Sequence, residues 1–173
     1  ELLTRTKVDN EQSSMLGMAQ DSAKLLLQIL DDILDYSRIE AKRIDLEILP
    51  FDIHQLIDSV VGGFSGAFRE KGLRIYAIDD GHLARSYAGD ALRIRQIITN
   101  LLSNALKFTN TGSVTTRVVL THSSQDMHLL KFTISDTGIG IPAASLASLF
   151  KPFTQAEQST TRRFGGTGLG LSI

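Results

Sequence analysis

Cysteine is absent from the chain, which excludes a disulfide framework and any thiolate metal site and is compatible with a reducing compartment. Long apolar runs are lacking as well. No stretch approaches the roughly 20 residues needed to span a bilayer, and no signal-peptide pattern opens the sequence. Neither sign of charge is in excess: 18 Lys and Arg against 19 Asp and Glu leave a formal net charge of -1. That balance gives no electrostatic reason to expect nucleic acid or direct membrane contact. Internal repeats and low-complexity tracts are missing. What is present is ordinary for a globular protein, 42% hydrophobic and 21% charged residues in a chain of 173. That length holds one sizeable domain plus an appendage.

Residues 9–44 read as one long helix. Leu16, Ala19, Ala23, Leu26, Leu30, Ile33 and Ser37 recur at alternating three- and four-residue steps, and Leu27 and Leu34 widen the stripe. A repeat averaging about 3.5 residues makes a seam that is buried only against another helix. Lys24, Asp31, Asp32, Asp35 and Arg38 fall mostly off that seam. The seam packs either on its own domain or on a second copy. No other long helix precedes Pro50, so a homodimeric helix bundle is the expectation.

Pro50 cannot continue a helix and disfavours one at Leu49. The alternating apolar residues of IDLEILPFDI suggest a short strand entering a new domain, which divides the chain into 1–49 and 50–173. Asp52 is placed to cap a helix over Ile53–Glu70 that ends near Lys71-Gly72, with Val60, Val61, Phe64 and Phe68 facing the core. LRIYAID reads as a strand and DDGH as a turn. Asp90 caps a strongly periodic helix over Ala91–Phe108. SVTTRVVLTH and MHLLKFTISD, joined by polar residues, read as a hairpin. The expected class is α+β: a long helix, then an α/β sandwich with helices on one face of a mixed sheet.

The chemistry begins on the helix from Ala91. Asn100, Asn104 and Lys107 are spaced by four and three and line one side of adjacent turns, while Ile97, Ile98, Leu101, Leu102, Ala105 and Phe108 supply packing. Asn is a poor residue for a helix interior because its side chain competes for backbone hydrogen bonds. Two of them beside a Lys suggest either a polar site or a solvated face. An amide carbonyl is a hard oxygen ligand suited to Mg²⁺, and Lys107 could neutralise phosphate. In Asp136-Thr137-Gly138-Ile139-Gly140-Ile141-Pro142 the glycines let the backbone turn tightly and leave room for a flat ring. An ionised Asp only accepts hydrogen bonds, which suits the exocyclic amino group of adenine; the plainer alternative is an acidic turn after a strand. Phe150, Pro152 and Phe153 read as loop or core anchors. Arg162 and Arg163 either approach a terminal phosphate or form an ordinary exposed pair. Gly165 to Leu171 offers backbone N–H groups and a helix N-terminus, both suited to phosphate oxygens. It is neither a P-loop nor a dinucleotide fingerprint.

Taken in order, RQIITNLLSNALKFT, DTGIGIP, LFKPFTQAEQ and RRFGGTGLGL resemble the N, G1, F and G2 boxes of two-component sensor histidine kinases. The resemblance covers nearly the whole chain, since residues 1–49 are similar to part of that family's dimerisation hairpin, mainly its second helix. It implies a histidine kinase/gyrase-type ATP-binding fold with ATP and Mg²⁺ as cofactors. Asn104 is then the magnesium ligand, Asn100 and Lys107 line the phosphate end, and Asp136 reads adenine. Phe108, Gly138, Gly140, Ile141, Arg163, Gly166, Thr167, Gly168, Leu169 and Gly170 complete the nucleotide site, with residues around 150–163 forming the mobile lid. The family's acceptor His stands on the first hairpin helix, followed by Glu, Arg, Thr and Pro. His54, His82, His122 and His128 all lack that context, so no catalytic residue is assigned and His54 reads as a surface or structural His. The implied activity is transfer of the ATP γ-phosphoryl to a histidine, then to an aspartate of a response regulator or receiver domain. The wording of the lid most resembles hybrid kinases. The implied location is cytoplasmic, in a protein anchored to the membrane elsewhere. The family's last helix continues past the position of Ile173 into further strands, so the C-terminal end of the domain is expected to be missing. Two alternatives remain: an ATPase of the gyrase or mismatch-repair type, which places a water-activating Glu where Asn100 stands, and a non-catalytic module that binds nucleotide and dimerises.

Overall fold

Three aspartates mark where the long helices begin. In the computed structural model, which describes residues 8–41, 45–125, 127–152, 154 and 168–172, Asp9 caps helix α1 (Asn10–Glu40). Its carboxylate accepts from Gln12 N–H at 2.8 Å while Gln12 Oε1 accepts from Asp9 N–H at 3.2 Å, a reciprocal capping box. Asp52 caps α2 (Ile53–Glu70), accepting from the N–H groups of His54 and Gln55 at 2.9 and 3.1 Å. Asp90 caps α3 (Ala91–Phe108), accepting from Arg93 N–H at 3.0 Å. Each oxygen satisfies donors that the first helical turn leaves without partners. Helix α1 ends earlier than its apolar period suggests, at Ala41, and residues 42–44 lie outside the described set.

The strands form two sheets. β1 (Leu49–Asp52) pairs antiparallel with β3 (Ser86–Gly89), with Leu49 opposite Gly89 and Asp52 opposite Ser86. Pro50 therefore lies within a strand of a two-stranded ribbon, where the cost of its missing donor is small. The larger sheet has the order β2-β4-β5, from β2 (Arg74–Asp79), β4 (Ser113–Ser123) and β5 (His128–Asp136). β2 runs parallel to β4 and β5 antiparallel to it, so the sheet is mixed as expected. A short helix, α4 (Ala143–Leu146), follows Pro142.

α2 and α3 pack on the larger sheet. Ile53, Leu56, Ile57, Val60 and Phe68 meet Ile98, Leu102 and Ala105 over Val114 and Val118, with Leu73 closing the cluster. Val61 and Phe64 are half-buried beside it. Burying each such aliphatic or aromatic side chain contributes roughly 1.5–3 kcal/mol, which fixes α3 in rotation and so fixes which side chains it offers elsewhere. Lys71, just past α2, donates from Nζ to the carbonyls of Leu106 and Lys107 at 2.6 and 3.2 Å. A cation there complements the negative end of the α3 dipole and ties the two helix ends together.

α1 has two unlike faces. Leu26, Leu30 and Ile33 on the seam are 58, 48 and 42% exposed, so the domain of the same chain does not cover them. Asp32 is buried and Asp35 half-buried, so these two charges off the apolar seam are not simply solvated. Asp35 accepts from Arg93 at 3.0 Å and from Gln96 at 2.6 Å. Desolvation alone would raise its carboxyl pKa. The hydrogen bonds from Gln96 and Arg93, with the charges of Arg93 and Arg38, outweigh it and hold the carboxyl below its ordinary range.

Candidate functional site

Four chain ends converge at one end of the larger sheet: the C-termini of α2 and α3, the start of β4 and the end of β5. The turn into β4 requires Gly112, at φ +104°. A Cβ there would collide with the Thr137 hydroxyl. That hydroxyl accepts from Ser113 N–H and donates to Thr111 C=O, both at 3.0 Å, while Thr137 N–H donates to Ser113 C=O at 3.2 Å. The loop after β5 is thus braced against the loop before β4. Ile139 N–H donates to the Phe108 carbonyl at 3.3 Å. Gly138 sits so close that a Cβ would lie 2.6 Å from that same oxygen, a distance no side chain tolerates.

Asp136 stands at the mouth of this loop. Its Oδ1 accepts from Gly138 N–H at 2.8 Å, so it shapes the turn. Among the described residues Oδ2 takes no hydrogen bond and remains open to a ligand donor. Gly140, at φ +69°, has open space beside it, and Ile139 and Ile141 are exposed.

The helix side of the site comes from α3. Asn100 Nδ2 donates to the Gly170 carbonyl at 3.2 Å. Residue 170 carries no side chain, and a Cβ there would only touch the Asn100 amide, at 3.7 Å. Leu169 is fully buried, and Gly168 has φ +69°. The structure therefore joins the carboxamide helix to the glycine loop, 70 residues apart in sequence. Asn104, one turn beyond Asn100, is half-buried and its amide makes no hydrogen bond with the described residues. Lys107 Nζ lies 5.0 Å from the Phe108 ring centroid, and burial lowers its pKa from the ordinary value. Arg162, Arg163, Gly165, Gly166, Thr167 and Phe153 lie outside the described residues. Phe150 is exposed.

Thr137 and Lys71, which hold the loop and the end of α3, were not singled out by the sequence. The turn residues of Asn-Thr-Gly-Ser before β4 were the available hint for the first. A surface depression of about 150 Å³ between α2 and β2 is lined by His54, Ile57, Asp58, Ala77, Ile78 and Asp79. It belongs to the other end of the sheet, since Asp79 is five residues along β2 from Arg74, roughly 16 Å at strand rise. There His54 Nδ1 lies 3.6 Å from Asp79, a surface pairing in keeping with a structural His.

A family model described as "Histidine kinase-, DNA gyrase B-, and HSP90-like ATPase" matches residues 89–173. Hybrid signal transduction histidine kinase A of Dictyostelium discoideum is 42% identical over 179 residues, covering all of this chain and 8% of that protein. The signal transduction histidine-protein kinase BarA of Escherichia coli K12 is 39% identical over 172 residues, covering 99% of this chain and 19% of that one. Full-length ShkA, solved in complex with AMPPNP, superposes with a TM-score of 0.78 at 33% identity, over 99% of this chain and 34% of that one. The chain spans less than a fifth of the curated relatives it matches. Residues 89–173 belong to the histidine kinase-, DNA gyrase B- and HSP90-like ATPases, and the chain carries the catalytic ATP-binding domain of a histidine kinase.

Proposed function

We propose that this domain binds ATP with Mg²⁺ and delivers the γ-phosphoryl to a histidine that none of the four in this chain supplies, for relay to a response-regulator or receiver aspartate. The observation that carries the reading is the pairing of Asn100 with the Gly170 carbonyl on a helix that contains no Asp or Glu. A carboxamide cannot take a proton from water at neutral pH, so the site is built to hold phosphates and lacks on α3 the base that hydrolysis needs. Catalysis of this kind rests on positioning and charge neutralisation.

In this reading Asp136 Oδ2 accepts from the adenine amino group, beside Gly138, Gly140 and Ile141. Asn100, Lys107 and the amides of Gly168, Leu169 and Gly170 face the phosphates, with Phe108 closing the helix end; Arg163, Gly166 and Thr167 extend the same loop. The residues fit Mg²⁺ in a limited sense. Asn104 offers one hard oxygen with no partner among the described residues, which also contain no cluster of three acidic, His or Cys ligands. A magnesium ion there would take its other ligands from nucleotide phosphates and water, and its charge would offset that of the phosphates. The exposed seam of α1 supports a homodimer. The hybrid kinases among the relatives support a receiver domain as partner. No helix among the described residues is long and apolar enough to cross a membrane, and we assign this part to the cytoplasm, where ATP is available.

The test is calorimetry of ATP and GTP with and without Mg²⁺, with hydrolysis followed in parallel. Preferential Mg²⁺-dependent ATP binding with negligible turnover is expected. Adding a helical hairpin that bears an acceptor His should then yield acid-labile phosphate. Asn104→Ala should abolish the Mg²⁺ dependence. Brisk hydrolysis of ATP would overturn the kinase reading in favour of an ATPase.

A further inference from the structure

We propose that Asp35 is the docking residue through which helix α1 fixes the orientation of the ATP-binding domain, by gripping Arg93 and Gln96 on α3. The three side chains form a closed ring. Arg93 donates from one nitrogen to Asp35 Oδ1 at 3.0 Å and to Gln96 Oε1 at 2.8 Å, while Gln96 Nε2 donates to Asp35 Oδ2 at 2.6 Å. Both carboxylate oxygens are used, and both ends of the Gln96 amide are satisfied. The partners lie 58 and 61 residues apart in sequence, so the ring exists only when the helix and the domain are docked.

The ring is also sheltered. Arg93 and Asp35 side chains are 27 and 16% exposed, whereas Arg85 in the Asp52 pair is 86% exposed. Exposed pairs contribute little because water and salt screen them; a partly desolvated, hydrogen-bonded pair is screened far less, and losing one partner strands the other. A second tie lies beside it. Asp90, the cap of α3, accepts from Glu47 N–H at 3.2 Å, so the segment following α1 is held at the same helix start. Asp32, one turn before Asp35, is buried.

The position on α3 gives the ring its consequence. Arg93, Gln96, Asn100, Asn104 and Lys107 are spaced by three, four, four and three, which lines one side of the helix. Gln96 lies one turn before Asn100, about 6 Å along the axis. Ile98, Leu102 and Ala105 are buried in the core, so α3 cannot rotate independently of the domain. Fixing Arg93 and Gln96 on α1 therefore fixes the direction in which the carboxamide stripe points. Its value for phosphoryl transfer rests on the function proposed above, since transfer demands reacting atoms within about 3–3.5 Å in a defined orientation. The docking itself does not depend on that function.

The chain has no cysteine, so nitroxides are placed cleanly at Ser14→Cys on α1 and Ser103→Cys on α3, both exposed positions. Double electron–electron resonance on the nucleotide-free chain, with the doubly labelled copy diluted in excess unlabelled chain so that each dimer carries one labelled copy, should give one narrow distance distribution. Asp35→Ala should broaden it, with the docking constant reduced about tenfold or more as expected for a sheltered charge pair. The far-UV circular dichroism should remain that of the parent. The charge swap Asp35→Arg with Arg93→Asp should narrow the distribution again. A broad distribution in the parent, an unchanged one in Asp35→Ala, or no rescue by the swap would each overturn the proposal. ATP affinity, measured separately, should stay within about twofold in Asp35→Ala because Asn100, Asn104 and Asp136 are untouched. Failure of the parent to bind ATP would count against the nucleotide reading and leave the distance result standing.

Discussion

Asp136 has one carboxylate oxygen committed to its own loop and one that takes no hydrogen bond among the described residues. Oδ1 holds the turn by accepting from Gly138 N–H, a local bond that Asn makes equally well. Oδ2 points to a ligand donor only if the site reads adenine. Asp136→Asn should therefore keep the loop and the fold while weakening ATP binding by about 100-fold, the upper range for a hydrogen bond to a charged group. Calorimetry on the variant checks this, and unchanged affinity would remove Asp136 from the nucleotide site. A second residue-scale prediction concerns Thr116, whose buried hydroxyl has no partner among the described residues. Thr116→Val keeps the β-branched shape beside Val114 and Val118 and removes the stranded group. It should stabilise the chain by about 1 kcal/mol, seen as a rise in Tm of roughly 2–4 °C; a lower Tm would mean that the hydroxyl is satisfied by water.

At the scale of elements, the helix caps predict the acid limb of stability. The Asp52 carboxyl is held below its ordinary value of 3.8 mainly by the Gln55 N–H bond, and Asp90 mainly by that of Arg93. Because the folded values are depressed, the contribution is present above 3.8 and is lost as pH falls through the folded values. Asn at both positions keeps a cap but not the titration. Thermal unfolding from neutral pH down to about pH 3 should therefore fall less steeply in the Asp52→Asn/Asp90→Asn variant; parallel slopes would refute the assignment. The same caps explain what was legible in the sequence. α2 and α3 were read to the residue because Asp52 and Asp90 start them and Lys71-Gly72 and Thr109 stop them. β3 escaped notice because Ser-Tyr-Ala-Gly carries no alternation and gains its strand character only from β1. The carboxamide stripe could be read from spacing alone, whereas its meeting with Gly170 needed the fold. The partners of Asp35 needed the fold for a related reason: they lie 58 and 61 positions later in the chain.

For the whole molecule, α1 works on two sides. One face holds its own domain through Asp35, and the other leaves Leu26, Leu30 and Ile33 exposed. Pairing that seam with a second copy would bury four half-exposed leucines from positions 26 and 30 alone, worth on the order of 3–6 kcal/mol. The parent should therefore sediment as a dimer and Leu26→Glu/Leu30→Glu as a monomer, with the ATP-binding domain folded in both. A monomeric parent at tens of micromolar would overturn the seam assignment.

The bond from Asn100 to the Gly170 carbonyl has a consequence for the order of loading. It uses the nitrogen of the amide and leaves its oxygen as an uncharged dipole beside the equally uncharged Asn104. Neutral oxygens of this kind do not strip water from a hard dication unaided. On the function proposed above, the metal would enter as the companion of the nucleotide, and the empty protein would be indifferent to the magnesium around it.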